Sequence, residues 1–269
     1  IIQSMNAQQM KSSSSAAFVG LRGRFEVIEF RSLADDEPTL NYSPLLRGFL
    51  KTFAYVAEHG GIGLTASKGF KRNFVHWAAR EFDWPGHTEA DLFAVNKVLN
   101  EQDFMPLVDI HFVLTTLKMG RHYKGQFKLT KAGTEISQHS GQLFGIITPF
   151  YLFEIDHSVW TRFPDTEIMM NWNVFLNILN IEAENGVLGA DLRRTFYGEP
   201  MPEHFPHYDV VMANLYMQVL RPLIWTGLLQ ETRPAKSFRS QESVFTKTPL
   251  WKAALKLETD SQVKGASRH

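Results

Sequence analysis

Leu129-Thr130-Lys131-Ala132-Gly133 is the stretch that decides the fold, because it marks the passage from a strand into a helix. The leucine ends an extended segment, and the threonine hydroxyl can cap the helix that follows. The phrase returns as Phe245-Thr246-Lys247-Thr248-Pro249 and, more loosely, as Leu64-Thr65-Ala66-Ser67-Lys68-Gly69. Three copies in one chain predict a tandem arrangement, in which Thr130 and Thr246 each begin a closing helix.

The residues before Thr130 predict a helix followed by a hairpin. Apolar side chains three or four positions apart predict a helix over Phe104–Met119, with Asp103 as its cap and Gly120 at its end. Arg121–Leu129 then predicts two short strands that turn near Lys124-Gly125. Two helices followed by a small β-wing are the order found in winged-helix domains.

Other helix boundaries follow from turn and capping residues. Pro44 begins a stripe of apolar residues that Gly60-Gly61 stops, and Phe70–Phe82 marks a second helix. Thr88 with Asp91 three residues later predicts a capping box.

Gly227-Leu228-Leu229 followed by Phe245–Pro249 resembles the GLL turn, wing strands and LTxxG step of winged-helix domains in bacterial regulators. Pro249 stands where that pattern has glycine. The looser copy at Leu64 resembles LTxxG segments of uncharacterised bacterial and plasmid-encoded proteins. The resemblance implies no catalytic residues, and it leaves open a DNA reader or a protein–protein adaptor, because winged helices serve as both.

The fold class predicted from these patterns is mainly α with small β-wings, in tandem winged-helix-like units. The predicted segments are a disordered tail (1–17), a β-strand segment and linker (18–43), an abbreviated winged-helix-like unit (44–87), a winged-helix unit (88–140), a packing helix broken near Pro149 (141–164), a further winged-helix unit (165–258) and a tail (259–269).

Composition limits the possible partners and cofactors. The chain of 269 residues has 28 Lys and Arg against 28 Asp and Glu, so nucleic-acid binding would depend on local basic patches. It has no cysteine, which excludes disulfides and thiolate zinc sites and fits a cytoplasmic location. No apolar run reaches the roughly 20 residues of a membrane helix. We expect no membrane contact, no metal and no cofactor.

Two basic clusters are the candidate DNA contacts. A predicted helical stripe could contact phosphates and a base edge, and it comprises Lys68, Lys71, Arg72, Asn73, His76 and Arg80. The first wing could lie along a phosphate backbone through Arg121, His122, Lys124, Lys128 and Lys131. A weaker repeat occurs at the later wing, in Arg233, Lys236 and Arg239. The alternative is that both clusters are ordinary solvated surfaces.

The helices that would enter a DNA groove point to a second hypothesis. Phe104–Met119 and Tyr208–Leu220 carry few side chains suited to base edges. The basic clusters make a non-catalytic, regulatory protein that binds double-stranded DNA the leading hypothesis. These helices favour the second hypothesis, a scaffold for a protein partner or for self-association. An enzyme is third. The cluster Glu203–His207 lacks HExxH spacing, and Glu154, Asp156 and His157 are either a base with its orienter or ordinary surface polar groups.

Overall fold

The helix predicted from Pro44 has the expected ends. The computed structural model describes residues 28–161, 171–199, 209–234 and 240–266. Helix α1 covers Pro44–His59, and Ser43 Oγ accepts the N–H of Leu46 at 3.1 Å. Gly60 has a φ of 74°, a left-handed conformation that ends the helix. Both predicted boundaries are confirmed.

The first half of the described chain is one unit of helices and a small sheet. Strand β1 (Glu29–Phe30) precedes α1, and the elements after α1 are β2 (Ile62–Gly63), α2 (Arg72–Glu81), α3 (Glu89–Val95), α4 (Met105–Thr116), β3 (Gly120–Tyr123), β4 (Gln126–Leu129), α5 (Lys131–Ile136) and α6 (Ser140–Phe153). The capping box of Thr88 with Asp91 is confirmed. Asp103 does not cap α4. It closes the capping box of the short 3-10 helix Glu101–Asp103, whose N-cap is Asn100, by accepting the N–H of Asn100.

The first sheet corrects the predicted division of this half. Its strand order is β2-β4-β3, and Ile62 pairs with Phe127 in antiparallel register. Segments 44–87 and 88–140 therefore share one sheet and form one structural unit, not two. Strand β2 is separated in sequence from its partner β4 by several helices, so local sequence patterns could not show that the two strands pair.

The second half repeats the same order of elements. It contains α7 (Trp172–Glu182), β5 (Val187–Leu188), α8 (Gly189–Tyr197), α9 (Val210–Leu215), a π-helical turn (Tyr216–Leu220), α10 (Arg221–Trp225), β6 (Leu229–Thr232), β7 (Val244–Lys247), α11 (Pro249–Ala254), β8 (Leu255–Lys256) and α12 (Asp260–Ala266). Its sheet has the order β5-β7-β6, and Val187 pairs with Phe245 as Ile62 pairs with Phe127. Both units thus place a helix, a strand, further helices, a hairpin and a closing helix in sequence.

The π-helical turn has a local cause in the sequence. Pro222 has no N–H to donate to the carbonyl four residues earlier, so the helical ladder loses a bond at this point. The N–H of Arg221 reaches back five residues to the carbonyl of Tyr216, which widens the turn.

The closing helices begin at equivalent threonines, but one differs from the prediction. Thr130 caps α5, and its Oγ1 accepts the N–H of Gly133 at 3.1 Å. In the second unit Thr246 lies within strand β7, and Thr248 takes the equivalent place before α11. The hydroxyls of Thr130 and Thr248 both donate to a carbonyl just after the helix that precedes the hairpin, at 2.7 Å and 2.5 Å respectively.

Two more predictions are wrong, the C-terminal tail and the break at Pro149. Residues 259–269 were predicted as a tail, yet Asn180 Nδ2 donates to Thr259 Oγ1 and Asp260 Oδ1 at 3.0 Å and holds the start of α12. Helix α6 continues through Pro149, because the carbonyl that this proline leaves free belongs to the exposed Gly145 and can bond to water. Predictions for 1–27, for the loop 200–208 and for the wing tip 235–239 lie outside the described residues.

The core runs through both units and contains the helices before each hairpin. Trp84 of the first unit and Trp225 of the second are buried, with ring centroids 5.3 Å apart in an edge-to-face contact. Helix α4 is buried on most of its surface, and Arg221 Nη1 donates to Met105 Sδ at 2.7 Å across the boundary between the units. Helix α4 therefore offers little accessible surface.

Candidate nucleic-acid interface

The first wing, β3 and β4, is a hairpin with the predicted turn. Lys124 has a φ of 46° and Gly125 a φ of 73°, so both central residues are left-handed, as a tight type I′ hairpin turn requires. The N–H of Leu64 donates to the carbonyl of Gly125 at 2.9 Å, which ties the tip to the chain leaving β2.

The two faces of this sheet have different chemistry. On the inner face, Phe127 is fully buried between its partners Ile62 and His122. Because side chains of directly paired residues lie on the same side, the alternate residues occupy the outer face. We define the outer wing face as Arg121, Tyr123, Lys124, Gln126 and Lys128.

The outer wing face concentrates positive charge that no acid in the described part of the chain neutralises. Arg121 pairs directly with Lys128 across the strands, an arrangement of like charges that destabilises a hairpin. Arg121 and Lys124 lie 5.4 and 5.3 Å from the ring centroid of Tyr123, which is 45% exposed. None of the three cations forms an ion pair with a described residue. The face is suited to an anionic partner.

Lys71 extends the outer wing face toward helix α2. Gly63 pairs with Gln126, so it faces outward, and a Cβ on Gly63 would lie 2.9 Å from Cδ of Lys71. The aliphatic stem of Lys71 therefore lies over the space that the absent side chain leaves, and the residue is exposed. Lys71 is the residue that joins the two predicted basic clusters.

The rest of the predicted helical stripe does not form one continuous contact line. Arg72 Nε donates to Asn100 Oδ1 at 2.9 Å, and Arg80 lies 3.9 Å from Glu89. Nε2 of His76 is buried without a hydrogen-bond partner among the described residues, and the ring packs edge-on against Phe93, so this nitrogen is not available to a base. The remaining two members, Lys68 and Asn73, are exposed.

Other predicted wing residues have roles of their own. His122 is on the inner face and contacts α4. Lys131 is 91% exposed on α5 and lies 3.7 Å from Glu135. Arg233 donates to Glu231 at 2.8 and 3.0 Å and to the hydroxyl of Tyr216 at 2.6 Å, so its guanidinium is already occupied. Lys236 and Arg239 lie outside the described residues.

The helix of the second unit that corresponds to α2 has its cations paired. Arg193 donates to Asp209 at 2.8 Å, and both side chains are nearly buried. Arg194 pairs with Asp191 and lies 3.9 Å from Glu199. The unneutralised cations of the first unit thus have no counterpart on α8.

A chain of hydrogen bonds beneath the wing was not predicted. His111 Nδ1 lies 2.6 Å from Glu101 Oε1, and His111 Nε2 lies 2.8 Å from Nε2 of His122. Oε2 of Glu101 accepts the N–H of Phe70 at 2.7 Å, and the ring of His111 stacks on Phe70 with centroids 3.9 Å apart. The only sequence signal was a single histidine in the apolar stretch of α4.

Of the two clusters considered for an enzyme, the described one, Glu154–His157, does not form a catalytic arrangement. Burial lowers the pKa of His157 to about 3, and its Nε2 donates to the carbonyl of Tyr151 at 2.8 Å. Asp156 accepts from the backbone and hydroxyl of Ser158, so it does not orient the histidine. The cluster Glu203–His207 lies outside the described residues. Within the described residues no group of three His, Asp or Glu is placed to bind a metal ion.

The geometry defines a two-unit protein of helices and small antiparallel sheets, and comparison with known proteins assigns its family. Residues 41–142 match the Y4jL N-terminal domain, and residues 161–249 match the y4jL C-terminal domain. The uncharacterised protein y4jL of Sinorhizobium fredii (strain NGR234) is 41% identical over 172 residues, which cover 64% of this chain and 78% of that protein. The chain belongs to the Y4jL family.

Two further results concern structure. No solved structure matches the chain. In the part of the chain that the structure describes, no helix combines the length and apolar character needed to cross a membrane.

Proposed function

We propose that this protein is a non-catalytic nucleic-acid-binding protein built from two winged-helix units. The order of elements supports the fold. In each unit a short strand comes first, helices follow it, and a hairpin follows the helices; the short strand then pairs with the second strand of the hairpin. The outer wing face supports the function, because its cations have no acidic partners among the described residues. The proposal includes a regulatory role in a bacterium.

The observation that carries the proposal is the pairing of Arg121 with Lys128. A hairpin that placed like charges opposite each other would gain stability if phosphates occupied the space between them. Lys71 and Lys124 flank this pair and would hold neighbouring phosphates. Since α4 is buried, we infer that binding follows the phosphate backbone and has little dependence on base sequence.

Salt dependence provides the first test of this interface. If four phosphates are neutralised, the logarithm of the affinity for double-stranded DNA should fall with a slope of about −3 to −4 against the logarithm of salt concentration. Fluorescence anisotropy with a labelled duplex of arbitrary sequence measures this slope. A slope near zero, or no binding at low salt, would exclude the proposed interface.

A matched pair of charge reversals locates the binding surface. We expect Arg121→Glu with Lys128→Glu to weaken binding by about 10-fold to 100-fold, because two phosphate contacts are replaced by repulsion. The control, Lys97→Glu with Lys252→Glu, changes the net charge equally at two exposed positions outside the face. It should weaken binding by less than about threefold. Equal losses in both variants would show that only net charge matters.

A protein-interaction scaffold is the second candidate function. Phe93, Val95 and Val98 are exposed within a short stretch after the start of α3, and Val95 is 82% exposed. Exposed apolar residues this close together are typical of contact surfaces. Binding through them would respond little to salt, which separates this candidate from the first.

A further inference from the structure

We propose that Glu101, His111 and His122 form a hydrogen-bonded chain that takes up a single proton and thereby strengthens nucleic-acid binding at the first wing. The chain connects three elements, since Glu101 precedes α4, His111 lies on α4 and His122 lies on β3. The second part of the inference rests on the proposed function, whereas the first part does not.

The distances assign the protons of the chain at neutral pH. An ionised carboxylate only accepts hydrogen bonds, and Glu101 accepts from both Phe70 N and His111 Nδ1. A neutral histidine has one N–H, so Nε2 of His111 must be an acceptor. His122 must then donate through its own Nε2 across the 2.8 Å contact. His111 is therefore the Nδ1–H tautomer, and His122 is the Nε2–H tautomer.

The chain can accept one proton without breaking. His122 is exposed and its Nδ1 carries no proton, so this atom receives the proton from solvent. The Nε2 proton can then pass to Nε2 of His111, which leaves the positive charge on the inner ring. There the charge lies against the Glu101 carboxylate and over the face of Phe70, and both contacts stabilise a cation.

A second proton is disfavoured by the same contacts. It would place two N–H groups against each other at 2.8 Å, so the bond between the histidines would break. Burial, the positive charge of His111 and that of Lys68 lower the pKa of His122, while Glu101 opposes them. Phe127, which packs edge-on against both rings, is uncharged.

The added charge lies directly beneath the outer wing face. Protonation of the chain adds one positive charge to the wing, and histidine is the side chain best suited to change its charge near neutral pH. One additional cation near the phosphates should raise affinity at fixed salt by about threefold to eightfold. The chain thus makes the proposed interface sensitive to pH without moving any of its lysines or arginines.

Nitrogen NMR of the histidine rings in the full chain tests the proton assignment directly. At pH 8 we expect an Nδ1–H tautomer for His111 and an Nε2–H tautomer for His122. As the pH falls, the pair should take up one proton, and the second only at a lower pH. In Glu101→Gln, loss of the carboxylate charge should move this uptake to lower pH. His59→Gln, at an exposed histidine on α1, should leave both signals unchanged. Opposite tautomers, or independent uptake of two protons, would overturn the chain.

DNA affinity at pH 8 and pH 5.5 tests the coupling. Wild type should bind more tightly at pH 5.5 by about threefold to eightfold, and His111→Gln combined with His122→Gln, which leaves no ring to carry the charge, should lose most of this gain. If the tautomers are as expected but affinity is the same at both pH values, the coupling is overturned. If wild type binds no DNA at either pH, the proposed function fails, while the NMR result still decides whether the chain exists.

Discussion

Replacing Gly133 by alanine is expected to lower the free energy of unfolding by about 3 kcal/mol or more. A Cβ at this position would lie 1.9 Å from the carbonyl oxygen of Met119, at the end of the loop after α4. That carbonyl also accepts the N–H of Thr130 at 3.0 Å, so it cannot move without loss of the contact that joins α5 to the hairpin. Urea unfolding followed by circular dichroism measures the change.

Gly145→Ala is the control for this substitution. Gly145 lies inside α6, and a methyl group added at its Cα would have no heavy atom of a neighbouring element within 4 Å. Alanine should therefore stabilise the protein by about 0.5–1 kcal/mol, since it favours the helix over the unfolded chain. Similar effects from the two substitutions would show that the start of α5 adapts to a side chain.

The segment Leu129–Gly133 was informative because the cap that starts α5 joins residues only three positions apart. The threonine both caps α5 and bonds the end of the preceding loop, and Gly133 allows the close approach that this geometry needs. The capping box at Thr88 and the turn at Lys124-Gly125 were predictable for a related reason. Their geometry depends on residues only a few positions apart.

The misassigned elements depend on partners far away in sequence. The pairing of Ile62 with Phe127 merges two predicted units, and the contact of Asn180 with Asp260 converts a predicted tail into a helix. No periodicity within either segment contains this information. The shift from Thr246 to Thr248 is different, because β7 simply continues for two residues beyond the point where the repeated phrase suggested its end.

The candidate site was predictable only in part. The sequence identified the basic wing, but it could not show that His122 faces inward or that Lys71 reaches the same face as the wing cations. The pairing of Arg233 with Glu231 could have been predicted, since residues two apart in an extended segment share a face. The chain from Glu101 to His122 needed the tertiary fold.

Asp109→Asn is the second substitution with a large expected effect, and it acts through pH. Burial raises the pKa of Asp109 from 3.8 to about 6, although the hydroxyl of Tyr151, which donates to Oδ2 at 2.8 Å, opposes the rise. The folded state therefore prefers the protonated acid. Below about pH 4 the acid is protonated in both states, and above pH 6 the folded state bears an unfavourable charge that corresponds to about 3 kcal/mol.

Asparagine should remove this dependence because it cannot ionise. We expect the variant to match wild type in stability near pH 4 and to exceed it by up to about 3 kcal/mol at pH 8, as measured by urea unfolding across the range. Tyr151→Phe removes the donor that lowers the pKa of Asp109. In this variant the loss of stability should begin at the same pH as in wild type but continue to a higher pH, so the total pH-dependent loss should be larger.

The buried guanidinium of Arg221 would explain the opposite result, a loss of stability in Asp109→Asn. Its Nε and Nη2 have no hydrogen-bond partners among the described residues. A buried cation without a counter-charge is costly, and the positive charge of Arg221 already opposes the rise in the pKa of Asp109. If asparagine destabilises the protein at pH 8, the Asp109 carboxylate serves as the counter-charge of Arg221 and its ionised form supports the fold.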